Sequence, residues 1–422
     1  MSESLKVKNF LVIKHAEVEL KKINVIIGPQ ANGKSLIAKL ISFFNSLSDE
    51  FIEGVRANES KRVLDKNIIS KFEDRFPRYS WDGTSFSIEY KIDSLNFLIS
   101  GRKNSKNKTL ITLEYSKNLV NKFKAKKSLF KRKVQEEKEN RKNTPRIRSV
   151  ERQVLREHVG DPLKELYPCF FSDSFFIPAS RSFFANLQKN IFTFLASNLD
   201  IDPYLKEFGQ VYENSKFWYK DGLMLRHNKT LVSELYKLIE SIVQGEYEYH
   251  DDQDWLISKG RKINLANASS GQQESLPMLL VLAVWPILSE SGNGVYFIEE
   301  PEAHLFPTSQ GHIISILSML HEALGTKFFI TTHSPYILSA LNNFILAGDT
   351  LDKEEITIEE FREINGSGSP IRFDDVSAYT IINGRTESIA DSEYRMIGGD
   401  ILDNISEHFE EVMNELLSCG KG

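Results

Sequence analysis

The chain has 422 residues, 41% hydrophobic and 26% charged, a composition that supports a sizeable core and excludes a disordered or fibrous protein. Its net charge of -5 gives no general attraction to nucleic acid, and its two cysteines, Cys169 and Cys419, are too few for a disulfide framework or a four-ligand zinc site. The opening MSESLKVKNF lacks the apolar core of a signal peptide, and the longest apolar run, 276–288, is about 13 residues against the ~20 that span a bilayer, so a reducing, cytoplasmic setting without membrane contact is expected.

Residues 5–27 read as strands. Apolar positions cluster at Phe10 to Ile13, alternate at Val18 and Leu20, and become the run Ile23 to Ile27, the pattern of a central strand covered on both faces. Gly28-Pro29-Gln30-Ala31-Asn32-Gly33-Lys34-Ser35 follows, and then Leu36, Ile37, Leu40, Ile41 and Phe44 take helical spacing. Strand, glycine loop and helix in direct succession form the phosphate-binding loop pattern with every fixed position filled. Glycines at 28 and 33 let backbone N–H groups curl inward toward phosphate oxygens at a helix N-terminus. Lys34 is placed to reach the β- and γ-phosphates and Ser35 to set its hydroxyl on Mg²⁺, so ATP and Mg²⁺ are the cofactors expected, with the whole run 28–35 binding nucleotide.

Residues 80–115 return to strand character, at Phe86 to Tyr90, Leu95 to Ser100 and Thr109 to Tyr115, and fit a small antiparallel sheet. Between Lys117 and Glu157 the composition changes to 15 Lys or Arg against 5 Glu. Apolar residues there fall at Leu119, Phe123, Phe130 and Val134, then at Ile147, Val150 and Val154, around Asn143-Thr144-Pro145. Such spacing predicts a basic helical hairpin, a short coiled coil about 30 Å long. Residues 170–243 are aromatic and helical in pattern after a strand at Phe175 to Ile177, and short strands occupy 247–265.

The loop Ala268-Ser269-Ser270-Gly271-Gln272-Gln273 leads into the long apolar helix. The strand Tyr296-Phe297-Ile298 ends in Glu299-Glu300-Pro301, beside the phosphate loop if the sheet is an open α/β one. Glu299 is the candidate Mg²⁺ ligand, because hard cations take oxygen donors, and Glu300 the candidate general base that polarises the attacking water. After the next strand, Thr331-Thr332-His333-Ser334-Pro335 offers His333 as a donor to the γ-phosphate, a catalytic group with Lys34 and Glu300. His304 reads as structural, and Arg181 either senses nucleotide or forms a structural salt bridge. A strand, a turn at Asn383-Gly384 and an amphipathic helix through Ile405, Phe409, Val412 and Leu416 close the chain. Divided accordingly, 1–115 is an ATPase lobe, 116–160 the hairpin, 161–260 a helical lobe, 261–345 the second part of the ATPase and 346–422 a strand–helix tail.

Phosphate loop, Ser-Ser-Gly-Gln, Glu-Glu-Pro-Glu-Ala-His-Leu and Thr-Thr-His-Ser-Pro, in that order, resemble the heads of the RecF, structural-maintenance-of-chromosomes and OLD branch of ATP-binding-cassette ATPases. The resemblance covers roughly two thirds of the chain and implies an α/β fold: a P-loop head with a mixed central sheet, a helical lobe and the inserted hairpin. It further implies that Ser269, Gly271 and Gln272 reach the γ-phosphate held by a second subunit, so that ATP joins two copies in a homodimer or higher oligomer, with residues 302–306 crossing between them. The chain departs from the transporter pattern at Glu299, where aspartate is usual, and in its signature, which is not Leu-Ser-Gly-Gly-Gln; its glutamine loop has no evident position.

A head with a short hairpin and no obvious two-metal cluster after Pro335 looks most like the ATPase component of PARIS-type immunity and less like the Septu type. The function this implies is a slow Mg-dependent ATPase, not itself a nuclease, that serves as sensor or scaffold for a separately encoded nuclease or toxin in bacterial anti-phage defence. The alternative is a DNA-repair or chromosome-associated ATPase whose 117–157 hairpin contacts duplex phosphate.

Overall fold

A computed structural model describes residues 3–140, 147–187, 201–222, 228–289 and 294–399. Its frame is an 11-stranded sheet. In chain order the strands of the two larger sheets are β1 (Glu3–Phe10), β2 (Ile13–Leu20), β3 (Ile23–Ile27), β4 (Phe86–Ile92), β5 (Leu95–Lys103), β6 (Thr109–Tyr115), β7 (Ser174–Ile177), then a separate three-stranded sheet of β8 (Glu246–His250), β9 (Gln253–Ser258) and β10 (Arg261–Asn264), and β11 (Val295–Glu299), β12 (Lys327–Thr332), β13 (Val376–Ile382) and β14 (Arg385–Ser388). The spatial order is β6-β5-β4-β1-β2-β14-β13-β3-β12-β11-β7.

Five strands, β13, β3, β12, β11 and β7, run parallel, and the rest form a largely antiparallel wing. The fold class read from the sequence is therefore the observed one. The strands of residues 86–115 are not a small sheet of their own: Leu5 of β1 pairs with Tyr90 of β4, which fuses them to the main sheet. Ser174–Ile177, within the segment read as a helical lobe, pairs with β11 at the opposite edge.

Alternation along the buried strands assigns side chains to two layers. Val25, Ile298 and Ile330 face a core built with the helices Lys229–Val243, Ser270–Leu288, Pro307–Leu324 and Pro335–Asp352. Ile26, Phe297 and Phe329 face the other core, packed by the helices Lys34–Asn45, Leu47–Arg56 and Lys61–Arg75. β3 is buried along its whole length, as a central strand should be.

The basic segment forms two helical arms, Lys117–Asn140 and Ile147–Leu155, the second continuing through a π-helical turn at Arg156–Gly160. Residues 143–145, the expected tip, lie outside the described residues, as do 405–416 and Cys419. Leu119, Phe123, Phe130, Val134, Val150 and Val154 are buried, in the stripe the spacing implies. They join the core of the N-terminal lobe: the Phe123 ring lies 6.1 Å from that of Phe51, edge on, and Lys127 Nζ donates to Glu59 O at 2.8 Å. The base of the hairpin is thus part of the ATPase lobe, with Lys138 and Glu151 pairing across the arms at 2.9 Å.

Candidate nucleotide site

The phosphate loop leaves β3 at Gly28 and enters its helix at Lys34. Gly33 caps that helix with φ +104°, in the left-handed region that glycine adopts without strain. A Cβ at Gly28 would lie 2.7 Å from Ile381 O, so the loop lies directly against β13. Asn32 Oδ1 accepts from Asn383 N at 3.1 Å, fixing the loop tip to the β13–β14 turn.

β12 lies between β3 and β11, and this order brings the three predicted catalytic side chains together. Lys34 Nζ donates to Gly28 O at 2.7 Å and Pro29 O at 2.8 Å and lies 3.3 Å from His333 Nδ1. An ammonium has only protons to offer, so Nδ1 is the acceptor and the ring proton sits on Nε2. Nε2 in turn lies 3.3 Å from Glu300 Oε1. Burial pulls the Lys34 ammonium below its usual value, against the opposing charges of Glu300 and Glu302.

Glu299 and Ser35 are brought together as well, the hydroxyl near enough to favour the ionised carboxylate. Ala179 N donates to Glu299 Oε2 at 3.1 Å, while the buried Oε1 has no hydrogen-bond partner. Burial raises the carboxyl pKa, with Lys39, the Ala179 N–H and Ser35 opposing. One hydroxyl beside one carboxylate with an unused oxygen fits Mg²⁺, which takes one or two protein oxygens and completes its shell with water and phosphate. When bound there, Mg²⁺ would neutralise charge on the phosphate oxygens.

Arg181, whose role the sequence leaves open, and two groups it does not single out, Glu302 and Glu274, hold this arrangement. Glu302 Oε1 accepts from both Thr332 Oγ1 and His333 N at 2.7 Å, which fixes the backbone that carries His333. Arg181, fully buried, donates to Pro178 O at 2.8 Å, Glu299 O at 2.7 Å and Glu300 O at 3.0 Å. It lies behind the paired carboxylates and grips their backbone, so of the two roles weighed from sequence the structural one fits. Glu300 itself has φ +45°, an uncommon conformation for a side-chain-bearing residue, and the arginine bond to its carbonyl helps to over-determine it. Glu274 completes the set by accepting from Arg181 N at 2.9 Å and Ser182 N at 3.2 Å.

The signature loop stands apart. Ser269 caps the helix Ser270–Leu288 in a reciprocal capping box with Gln272. Gln272 Oε1 accepts from Ser269 N at 3.0 Å and its Nε2 donates to Val243 O at 2.7 Å, so this side chain braces the loop, while Ser269 is exposed. Gly271 faces residues 302–306, where a Cβ would stand 2.7 Å from His304 O. His304, at φ +59°, turns its side chain outward. Among the described residues none of these three hydrogen-bonds to residues 28–35.

A phosphate loop, a carboxylate pair and a histidine gathered at the carboxyl ends of parallel strands define a P-loop ATPase. The AAA ATPase domain family matches residues 1–338, and the chain belongs to that family. No curated protein matches it. Among solved structures it is similar to the SMC head domain from Thermotoga maritima, at 10% identity and a TM-score of 0.37 over 92% of this chain and 98% of that one. It is also similar to an SMC head bound to the C-winged helix domain of ScpA (9%, TM-score 0.41, covering 92% and 96%) and to the recombination mediator RecF (13%, TM-score 0.31, covering 92% and 98%). Among the described residues no helix is long and apolar enough to cross a membrane.

Proposed function

We propose that the protein is an ATP-binding-cassette-type ATPase that closes as a dimer around Mg·ATP and acts as sensor or scaffold for a separately encoded effector in bacterial anti-phage defence. The observation that supports the catalytic part is the contact series Lys34–His333–Glu300, which suits the roles of phosphate-binding cation, hydrogen-bond donor and general base. Lys34 and the loop N–H groups hold the phosphates, Ser35 and Glu299 take the metal, and Glu300 polarises the attacking water. His333, protonated on Nε2, orients the Glu300 carboxylate, and a ring N–H released from that contact would serve as the donor to the terminal phosphate. Ser269, exposed, and Gly271, half-buried, make no hydrogen bond to their own phosphate loop among the described residues and suit a role in a second copy's site. Steady-state phosphate release tests the catalytic reading, and mass measurement of the chain purified with the product of its neighbouring gene, with and without ATP, tests the assembly.

The hairpin favours a second reading, DNA engagement, because Lys117, Lys122, Lys124 and Lys131 are exposed on it. Neutralised phosphates release counterions, so such binding would weaken steeply with salt, by a slope of about -0.9 per contact. A salt titration with duplex DNA separates the readings: no binding at low salt removes the second.

A further inference from the structure

Arg181 and Glu274 tie two functional regions of one chain together. Glu274 sits in the first turns of the helix that Ser269 caps, five residues on from that serine and three from Gly271. Its carboxylate accepts the N–H groups of residues 181 and 182, and its carbonyl accepts from Arg181 Nε at 2.8 Å. The same guanidinium then holds the carbonyls of Glu299 and Glu300. Both side chains are buried, 0% and 5% exposed, so neither bond is replaced by solvent when one end moves. In an ATP-joined dimer the two ends of this linkage serve different nucleotides. The signature loop touches the ATP of the partner copy, whereas Glu299 and Glu300 belong to the chain's own site.

We infer that Glu274 and Arg181 are positioning residues that couple the two ATP sites of the dimer, so that engagement of the signature loop at one nucleotide sets the general base at the other. The inference rests on the dimer reading above. A shift of the helix start moves the Glu274 carboxylate and carbonyl, Arg181 follows because both its backbone and its Nε are attached there, and the Glu300 backbone follows Arg181. Since Glu300 already occupies a strained backbone conformation, a small displacement of its carbonyl is enough to re-aim the carboxylate. The coupling makes hydrolysis cooperative in ATP while leaving the phosphate loop's own affinity alone.

The experiment uses the full chain. ATP-dependent dimer formation is measured by mass, and phosphate release is measured against ATP concentration. The wild type is expected to give a Hill coefficient between about 1.5 and 2. Glu274→Gln and Arg181→Lys are expected to bring it to about 1 and to lower kcat roughly tenfold, with affinity for a fluorescent ATP analogue changed less than about threefold. Absence of an ATP-dependent dimer removes the dimer reading. A dimer whose variants keep the wild-type coefficient, or whose wild type already shows a coefficient of 1, overturns the coupling. Hydrogen exchange on the wild type provides a test independent of variant folding: residues 269–275, 178–182 and 299–300 should gain protection together on adding Mg·ATP, and protection confined to 269–275 overturns the proposal.

Discussion

Lys34 Nζ lies 3.3 Å from His333 Nδ1, a contact between residues 299 positions apart that closes because β12 runs between β3 and β11. The ammonium is the charged end of the phosphate cradle, and losing it removes charge-assisted hydrogen bonds of about 1.5–3 kcal/mol. Lys34→Ala should therefore weaken ATP binding by about 10- to 100-fold. Equilibrium titration with a fluorescent analogue checks this, and unchanged affinity would refute the site.

Glu300 is partly exposed, and its carboxylate faces the histidine and not a buried network. Glu300→Gln keeps the shape and removes the base, so ATP affinity should persist while phosphate release falls about 10²- to 10⁴-fold. The variant should also accumulate as an ATP-bound dimer, read by mass. Hydrolysis within a few-fold of wild type would assign the base elsewhere.

For Glu299 the sign of the pH effect follows from burial, which raises its pKa above the usual 4.5. The folded protein holds this proton more tightly than the unfolded chain, so ionisation costs stability, and that contribution is lost as pH rises through the folded value. Without metal or nucleotide, Glu299→Gln should melt about 1–2 °C higher at neutral pH, with the gain vanishing in acid. The same variant should lose the added thermal stability that Mg·ATP gives the wild type. A lower melting temperature at neutral pH would count against a carboxylate whose buried Oε1 has no partner.

Gly271 leaves no room for a side chain beside the carbonyl of His304. In Gly271→Ala the new methyl, 2.7 Å from that oxygen, forces the loop 302–306 to shift, at a cost of about 1–3 kcal/mol. Thermal melting should show the loss of stability, and phosphate release should fall because the same loop carries Glu302, the acceptor for His333 N. A variant equal to wild type in both measurements would show that the approach is not required.

What the sequence disclosed was local. Glycines 28 and 33, Lys34 and Ser35 announce themselves because the phosphate loop is continuous, and the buried stripe of the hairpin follows from helical spacing within each arm. The role of Arg181 stayed open, and Glu274 and Glu302 went unmarked, for a physical reason: their partners are mostly backbone atoms, up to 119 positions away, and a backbone group has no signature in a residue string. The fusion of the 86–115 strands to the main sheet was equally hidden. Period-2 alternation marks a face but not the neighbour, and β1 had two edges to offer.

β13, at residues 376–382, lies immediately beside β3 and walls the phosphate loop, although the family match ends at residue 338. A chain shortened at that boundary would keep Lys34, Glu300 and His333 yet strip one whole edge from β3, the strand that launches the phosphate loop. It would also part the sheet in two, since β13 and β14 are the only bridge joining the N-terminal wing to the parallel half among the described strands. Catalytic competence is therefore a property of the chain's late residues as much as of its recognisable motifs.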